Sequence, residues 1–130
     1  MYADKCKKMT IVSTDRDFYQ LINDKIQIWS PVKKKMYDTE TLIEEFGVHP
    51  NNYVVYRTFT GDKSDNIPGV NGFGPVTILK HVPELLSETE FTPDDLFEKS
   101  KQLLDTSKKY GMILEHQEII EKNYQLMNLK

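Results

Sequence analysis

Apolar and polar residues alternate along this chain in short blocks rather than long ones. Thr10-Ile11-Val12-Ser13-Thr14 is β-branched and predicts a buried strand after a solvated or helical lead-in over Met1–Lys8. It runs into Asp15-Arg16-Asp17, and Phe18 to Ile22 then predicts a helical turn or two with Asp15 as N-cap. Ile26 to Trp29 alternates like a strand, Ser30 to Lys35 turns, and Lys35-Met36-Tyr37 pairs back on it. TETLIEEF, Thr39 to Phe46, is a short amphipathic helix with Thr39 as cap and Gly47 as stop. PNNYVVYRTFT, Pro50 to Thr60, reads as another, with proline in its first turn. A glycine-rich hairpin follows, and Pro75 to His81 reopens as helix. The remainder is helical, one segment from Thr92-Pro93 through Leu104 and another from Gly111 to Tyr124. Phe18/Leu21/Ile22, Ile113/Ile119/Ile120 and Trp29 read as core. A single buried strand near the start leaves unpaired backbone groups on both sides, so the pattern predicts a larger assembly or a partner.

The length, 130 residues, suits one modest domain. No apolar run approaches a membrane span and no signal peptide opens the chain. Cys6, the single cysteine, excludes an internal disulfide framework and fits a reducing compartment. His49, His81 and His116 are too dispersed to suggest zinc. A net charge of −3 argues mildly against a stand-alone nucleic-acid binder, although a carboxylate-rich site lowers the sum in the same way.

The carboxylates carry the first chemical signal. Asp15 and Asp17 stand where a strand meets a helix, the ligand-binding edge of open α/β sheets. On extended backbone, residues two apart point to one side, so both can face one cleft. A helix cap followed by a surface acid has the same spelling. Asp62 and Asp65 are three apart at a predicted helix end and share a face there. Two such pairs can serve a two-metal site for magnesium-type cations. A solvated helix terminus, with Asp65 capping the next turn, is the alternative.

GDKSDNIPGVNGFG, Gly61 to Gly74, holds four glycines. Gly69, Gly72 and Gly74 form G-x-x-G-x-G between two predicted helices. No strand precedes them and no Gly-Lys-Ser/Thr ending follows, so neither a dinucleotide fingerprint nor an NTPase loop fits. Glycine permits close approach of backbone to a ligand, and the amides open onto the helix at Pro75, which suits phosphate. Outward carbonyls suit a monovalent cation. A helix–hairpin–helix of this kind grips duplex backbone without reading bases. A plain helix–helix turn is the alternative. Lys33-Lys34-Lys35 reads as a solvated loop before a phosphate contact, and Lys99, Lys101, Lys108 and Lys109 read as a surface face.

Taken in order, STDRDFYQLI, then YRTFTGDKSDNIPGVNGFG, then a helix carrying Thr77 and Lys80 resemble the 5′-nuclease family. That family covers the 5′-nuclease domain of bacterial DNA polymerase I, phage 5′ exonucleases and flap endonucleases. The resemblance spans about Thr10 to Lys80 and concerns the family's C-terminal part. It implies an α/β to mostly α fold. Residues 1–47 would be part of the parallel-sheet nuclease core, and 48–130 a helix–three-turn–helix DNA-binding region with a helical tail. It implies a structure-specific 5′–3′ exonuclease or flap endonuclease, working by two metals on duplex, flapped or nicked DNA or RNA–DNA hybrids. A cytoplasmic setting in a bacterial or phage-infected cell follows.

Carried over by position, Asp15, Asp17, Asp62 and Asp65 match the carboxylates of the more weakly held second metal, Mg2+ or Mn2+. Gly69, Val70, Gly72, Phe73 and Gly74 match the DNA-clamping hairpin with its K+ site. Arg57 and Gln20 match positions filled likewise, in a structural role. The family's first-metal carboxylates and its flap-threading arch have no match in these residues, which implies a separate N-terminal half and a weak or inactive isolated chain. Relatives often carry lysine two residues beyond the last hairpin glycine. Here that place is Val76, and Lys80, one turn on, is the candidate phosphate contact. Two other readings stay open: a non-catalytic DNA-binding module with vestigial acids, and a subunit that completes its site with a separately encoded N-terminal half.

Overall fold

A computed structural model describes residues 9–62 and 66–129. The expectation for Met1–Lys8, with Cys6, lies outside the described residues. Three short strands form the sheet. β1 (Met9–Val12) pairs in parallel with β2 (Ile26–Ser30), and β2 pairs antiparallel with β3 (Lys35–Tyr37), in the order β1-β2-β3. The register aligns Ile11, Ile28 and Tyr37 on one face, where Ile28 and Tyr37 are fully buried.

The opposite face aligns Val12, Trp29 and Met36. Val12 is 65 % exposed and Met36 38 %, while Trp29 is half-buried and outside the apolar core. This corrects two expectations, a buried first strand and a core tryptophan. β-Branched spelling selects extended backbone, but it does not say whether a second layer covers both faces. β1 is an edge strand among the described residues, paired only on its β2 side.

Helices cover the inner face. α1 (Thr39–Phe46) has the predicted bounds, and its stop is Gly47 in the left-handed region at φ 74°. Its cap is Asp38 rather than Thr39: the Asp38 carboxylate accepts the Thr41 amide at 2.9 Å. The segment expected as one helix from Pro50 is a 3₁₀ turn (Pro50–Asn52) followed by α2 (Tyr53–Thr60). The break is Asn52, fully buried, whose side chain serves another loop. Its Nδ2 donates to the carbonyls of Ser87 (2.9 Å) and Thr89 (3.0 Å), and its Oδ1 accepts the Phe91 amide. α2 is the central helix, buried from Tyr53 to Phe59.

α3 (Pro75–His81) starts at its proline as predicted. α4 (Pro93–Gln102) begins in a capping box of Thr92 and Asp95. The final predicted helix is two, α5 (Lys108–Glu115) and α6 (Gln117–Met127), broken at His116. There the imidazole Nδ1 lies 2.7 Å from the Met112 carbonyl, satisfying a helix end from its own side chain.

One apolar core runs from Tyr19 to Ile120 across the 47/48 boundary. Its sheet-side half is aromatic: Tyr19 lies 4.7 Å from Tyr37 and 5.5 Å edge-on to Tyr53, with Phe46 joining all three. The lysine turn is solvent-exposed, as expected, and two of its three lysines are also fastened. Lys33 and Lys35 pair with Glu45 at 3.1 and 3.0 Å, and the Tyr37 hydroxyl donates to the same carboxylate. Burial works to raise the Glu45 pKa, yet the hydrogen bonds from Tyr37, Lys35 and Lys33 bring it down to about 2. Among the described residues, no helix is long and apolar enough to cross a membrane.

A depressed carboxylate pKa stabilises the fold above its unfolded value of 4.5, and that stability drains away as the pH falls toward about 2. Glu45→Gln should therefore cost about 1–2 kcal/mol at neutral pH, allowing for solvent screening, and flatten that acid limb in urea titrations at several pH values. Ser100 Oγ is buried without a hydrogen-bond partner among the described residues. Ser100→Ala should leave stability unchanged or raise it by about 1 kcal/mol, read by the same titration.

Candidate functional site

β1 delivers its C-terminal end, and α2 its last turn, to one cleft of about 810 Å³. Thr14, Asp15 and Arg16 line one wall; Tyr53, Tyr56, Arg57, Thr60, Gly61 and Asp62 line the other, with Pro75 of α3 at the edge. Asp15 and Asp62, 47 positions apart in sequence, thus open onto a common space.

The two acid pairs are arranged differently from their spacing arguments. Asp17 stands in a 3₁₀ helix (Arg16–Leu21), not on extended backbone, and the Asp15 carboxylate accepts its amide at 2.9 Å. Asp17 does not line the cleft, but its charge reaches Arg57. α2 ends at Thr60, so Asp62 is not on a helical turn. It exchanges two backbone hydrogen bonds with Ile67, both 2.8 Å, in an antiparallel bridge. Asp65 lies outside the described residues.

Arg57 organises this wall. Its guanidinium donates to Asp62 at 2.8 Å and to the Tyr53 hydroxyl at 3.2 Å, with its Nε 3.4 Å from the Gly61 carbonyl. The side chains are nearly sealed, 6 % exposed for Arg57 and 11 % for Asp62. Burial works against the charge on Arg57, but Tyr53, Asp62 and Asp17 more than offset it and hold its pKa above the ordinary value. Burial pushes the Tyr53 phenol up to about 12, so it remains a neutral donor and acceptor. Arg57 and Gln20 both have the structural roles expected of them. Gln20 is buried, donating to the Asp17 and Met127 carbonyls at 2.9 and 2.8 Å and accepting the Leu129 amide.

Whether these residues suit a divalent cation is a question of donor number. Magnesium is held by one or two carboxylates plus waters. Asp15 and Asp62 supply two on one cleft, which fits that mode. Among the described residues, no group of three or more acidic, histidine or cysteine side chains is close enough to form an all-protein cage.

The hairpin lies next to this wall. Gly61, at φ 77°, and Gly69 exist as glycines because the chain passes itself there. A Cβ on Gly61 would meet the Gly69 nitrogen at 2.5 Å, and one on Gly69 would run into the Phe59 carbonyl. The Val70 amide donates to Phe59 and the Phe73 amide to Val70, both at 3.0 Å. Asn123 of α6 ties the hairpin's entry to α2, donating to the carbonyls of Pro68 (2.7 Å) and Thr58 (3.2 Å). Val70 and Phe73 are 3 % exposed, so these two offer a ligand their backbone only. A second hollow of about 400 Å³ is lined by Phe59, Thr60 and residues 69–74, including Gly72 and Gly74. Lys80, exposed in the last turn of α3, lines neither hollow. Arg16, Tyr56 and Thr60 are lining residues that sequence reasoning did not single out, and no local pattern marks them.

No family model matches the chain. Curated relatives do. It is 35 % identical over 78 residues to a 5′-3′ exonuclease of Aquifex aeolicus, covering 60 % of this chain and 27 % of that protein. A flap endonuclease Xni of Vibrio atlanticus is 34 % identical over 106 residues, covering 79 % and 40 %. Thermostable DNA polymerase I of Thermus thermophilus is 34 % identical over 105 residues, covering 75 % and 12 %. The chain belongs to the 5′-nuclease family. It spans well under half the length of these relatives, 12 to 40 %. The fold of this 5′-nuclease segment matches that of the bacteriophage T5 5′-exonuclease bound to divalent zinc, with a TM-score of 0.76 at 24 % identity over 95 % of this chain and 44 % of that one.

Removing one member of a sealed ion pair strands the other. Arg57→Met should cost about 3–5 kcal/mol in chemical denaturation, whereas Tyr53→Phe, which keeps the ring and loses one hydrogen bond, should cost about 1 kcal/mol.

Proposed function

We propose that this chain is part of a structure-specific 5′–3′ exonuclease or flap endonuclease that hydrolyses DNA phosphodiesters with magnesium or manganese. The observation that carries the reading is the shared cleft: Asp15 and Asp62 open onto one space beside the glycine hairpin. Relatives named as a 5′-3′ exonuclease and a flap endonuclease support the activity, and a phage flap endonuclease of the same fold was crystallised with DNA and metal ions. In a two-metal site one such cation would activate water and the other would steady the leaving oxygen, so the residues described here would hold only one of the two.

The chain's own residues have separable tasks. Asp15 and Asp62 would supply carboxylates of the second metal from the cleft itself, with Asp17, close to Asp15 in sequence, and Asp65 as the further candidate ligands. Arg57 holds Asp62 in register and keeps a positive charge at the wall where phosphate would lie. In the hairpin, the amides of Asn71, Gly72 and Gly74 donate no hydrogen bond among the described residues. Such amides next to a helix start suit a phosphate of duplex, flapped or nicked DNA, or of an RNA–DNA hybrid. Gly69, Val70, Gly72, Phe73 and Gly74 would grip through backbone, with K+ held by hairpin carbonyls and Lys80 as a further contact.

A second reading, that the site is completed by a separately encoded N-terminal half, draws support from the sheet. Its outer face exposes Val12 and Met36 with Trp29 half-buried, and β1 has an open edge among the described residues. Residues 1–47 and 48–130 would then be the core-completing and DNA-gripping regions.

The pure chain should bind Mn2+ weakly, and Asp15→Asn or Asp62→Asn should lower that affinity roughly tenfold in calorimetry or spin-relaxation titrations. Unchanged binding in both variants would sink the metal assignment. The chain by itself should cut 5′-labelled flap DNA poorly, and an added N-terminal fragment should raise the rate. Robust magnesium-dependent cleavage by pure chain, abolished by Asp62→Asn, would overturn the need for further ligands.

A further inference from the structure

Lys109 sits in the first turn of α5, remote in sequence from the hairpin, yet its Nζ donates to the Gly72 carbonyl at 2.8 Å. The same ammonium lies over the Phe73 ring, 5.2 Å from its centroid. A carbonyl and an aromatic face together fix a side chain that would otherwise sample many rotamers. Its charge is not cancelled. Lys33, Lys35, Lys99 and Lys101 each pair with a glutamate, whereas no carboxylate lies within ion-pair distance of Lys109 among the described residues. One N–H is spent on Gly72, which leaves two donors on the ammonium. They stand beside a hollow whose Asn71, Gly72 and Gly74 amides make no hydrogen bond among the described residues.

We propose that Lys109 is the phosphate-neutralising side chain of the hairpin. A backbone phosphate of duplex DNA drawn to the amides of residues 71–74 meets a cation already in position, so little side-chain entropy is lost on contact. The hairpin contributes dipoles and α5 contributes the full charge. This makes the start of α5 part of the DNA-binding surface, and it assigns Lys109 a role apart from the other tail lysines. The contact is to phosphate and carries no base preference. The inference rests on the DNA-gripping role of the hairpin given above.

The test is fluorescence anisotropy of the full chain with a labelled duplex across a salt series. Lys109→Gln removes the charge and keeps an N–H donor on a side chain one bond shorter. It should weaken binding roughly tenfold and lower the slope of log affinity against log salt by about one, equally for unrelated sequences. Lys109→Arg should retain the slope, and Lys101→Gln, a paired surface lysine, should leave it untouched. A role confined to bracing the hairpin would shift affinity without changing the slope, and a slope unchanged in Lys109→Gln overturns the proposal. If the unmodified chain shows no salt-dependent duplex binding, the hairpin reading falls and Lys109 with it. Binding by the unmodified chain with an unaltered Lys109→Gln slope rejects Lys109 alone.

Discussion

The buried pair of Arg57 and Asp62 is the constraint on which the rest depends. A guanidinium at this depth is tolerable only if every nearby acceptor is aimed at it. Tyr53 one turn earlier, Gly61 at the helix end and Asp62 beyond it all meet that requirement. The chain must therefore leave α2 in one direction, and the Asp62–Ile67 bridge then turns it back. Gly69 can pass over the Phe59 carbonyl only on that path. One ion pair thus sets both the acid wall of the cleft and the origin of the hairpin. The same pair holds one oxygen of Asp62, so a cation in the cleft would share that carboxylate with Arg57 rather than own it.

Three buried amides do for the helical region what a larger core would do elsewhere. Asn52 gathers the loop around Ser87 to Phe91, Asn123 gathers the chain entering the hairpin, and Gln20 joins the Asp15–Asp17 corner to the end of α6. Each satisfies backbone groups that a loop cannot satisfy internally. Loop shape here is consequently specified by single side chains on distant helices. Apolar packing tolerates exchange of one hydrophobe for another, whereas Asn52 and Gln20 must supply both a donor and an acceptor at fixed separation and Asn123 a donor to two carbonyls.

What could be read from the sequence follows the range of the signal. Gly47, Pro75 and the Thr92–Asp95 box act within a turn, and the elements they bound were legible. The strand pair at Ile26–Tyr37 was legible for the same reason. The 3₁₀ turn at Pro50 was not, because Asn52 answers to a loop more than thirty residues later. Nor was the layer of Trp29, which depends on what lies across the sheet. At the site, the order of acids and glycines singled out Asp15, Asp62 and the hairpin, which the fold brings to two neighbouring hollows, but periodicity misjudged how the acids are held. Asp15 spends an oxygen on the Asp17 amide, and Asp62 spends one on Arg57. Lys109 carried no local mark, since it meets Gly72 only through the packing of α5 on the hairpin.

The Gln20 amide has a consequence for how the molecule comes into being. Its partners at Met127 and Leu129 are more than a hundred positions away, so the corner bearing Asp15 and Asp17 is not locked by this contact until those residues have left the ribosome. During synthesis the acidic lip, like the end of α2 that Asn123 of α6 fastens, would set only after the sheet has begun to pack. A nascent chain would thus carry its carboxylates on an unfinished support, and the site would mature only when the final helix docks.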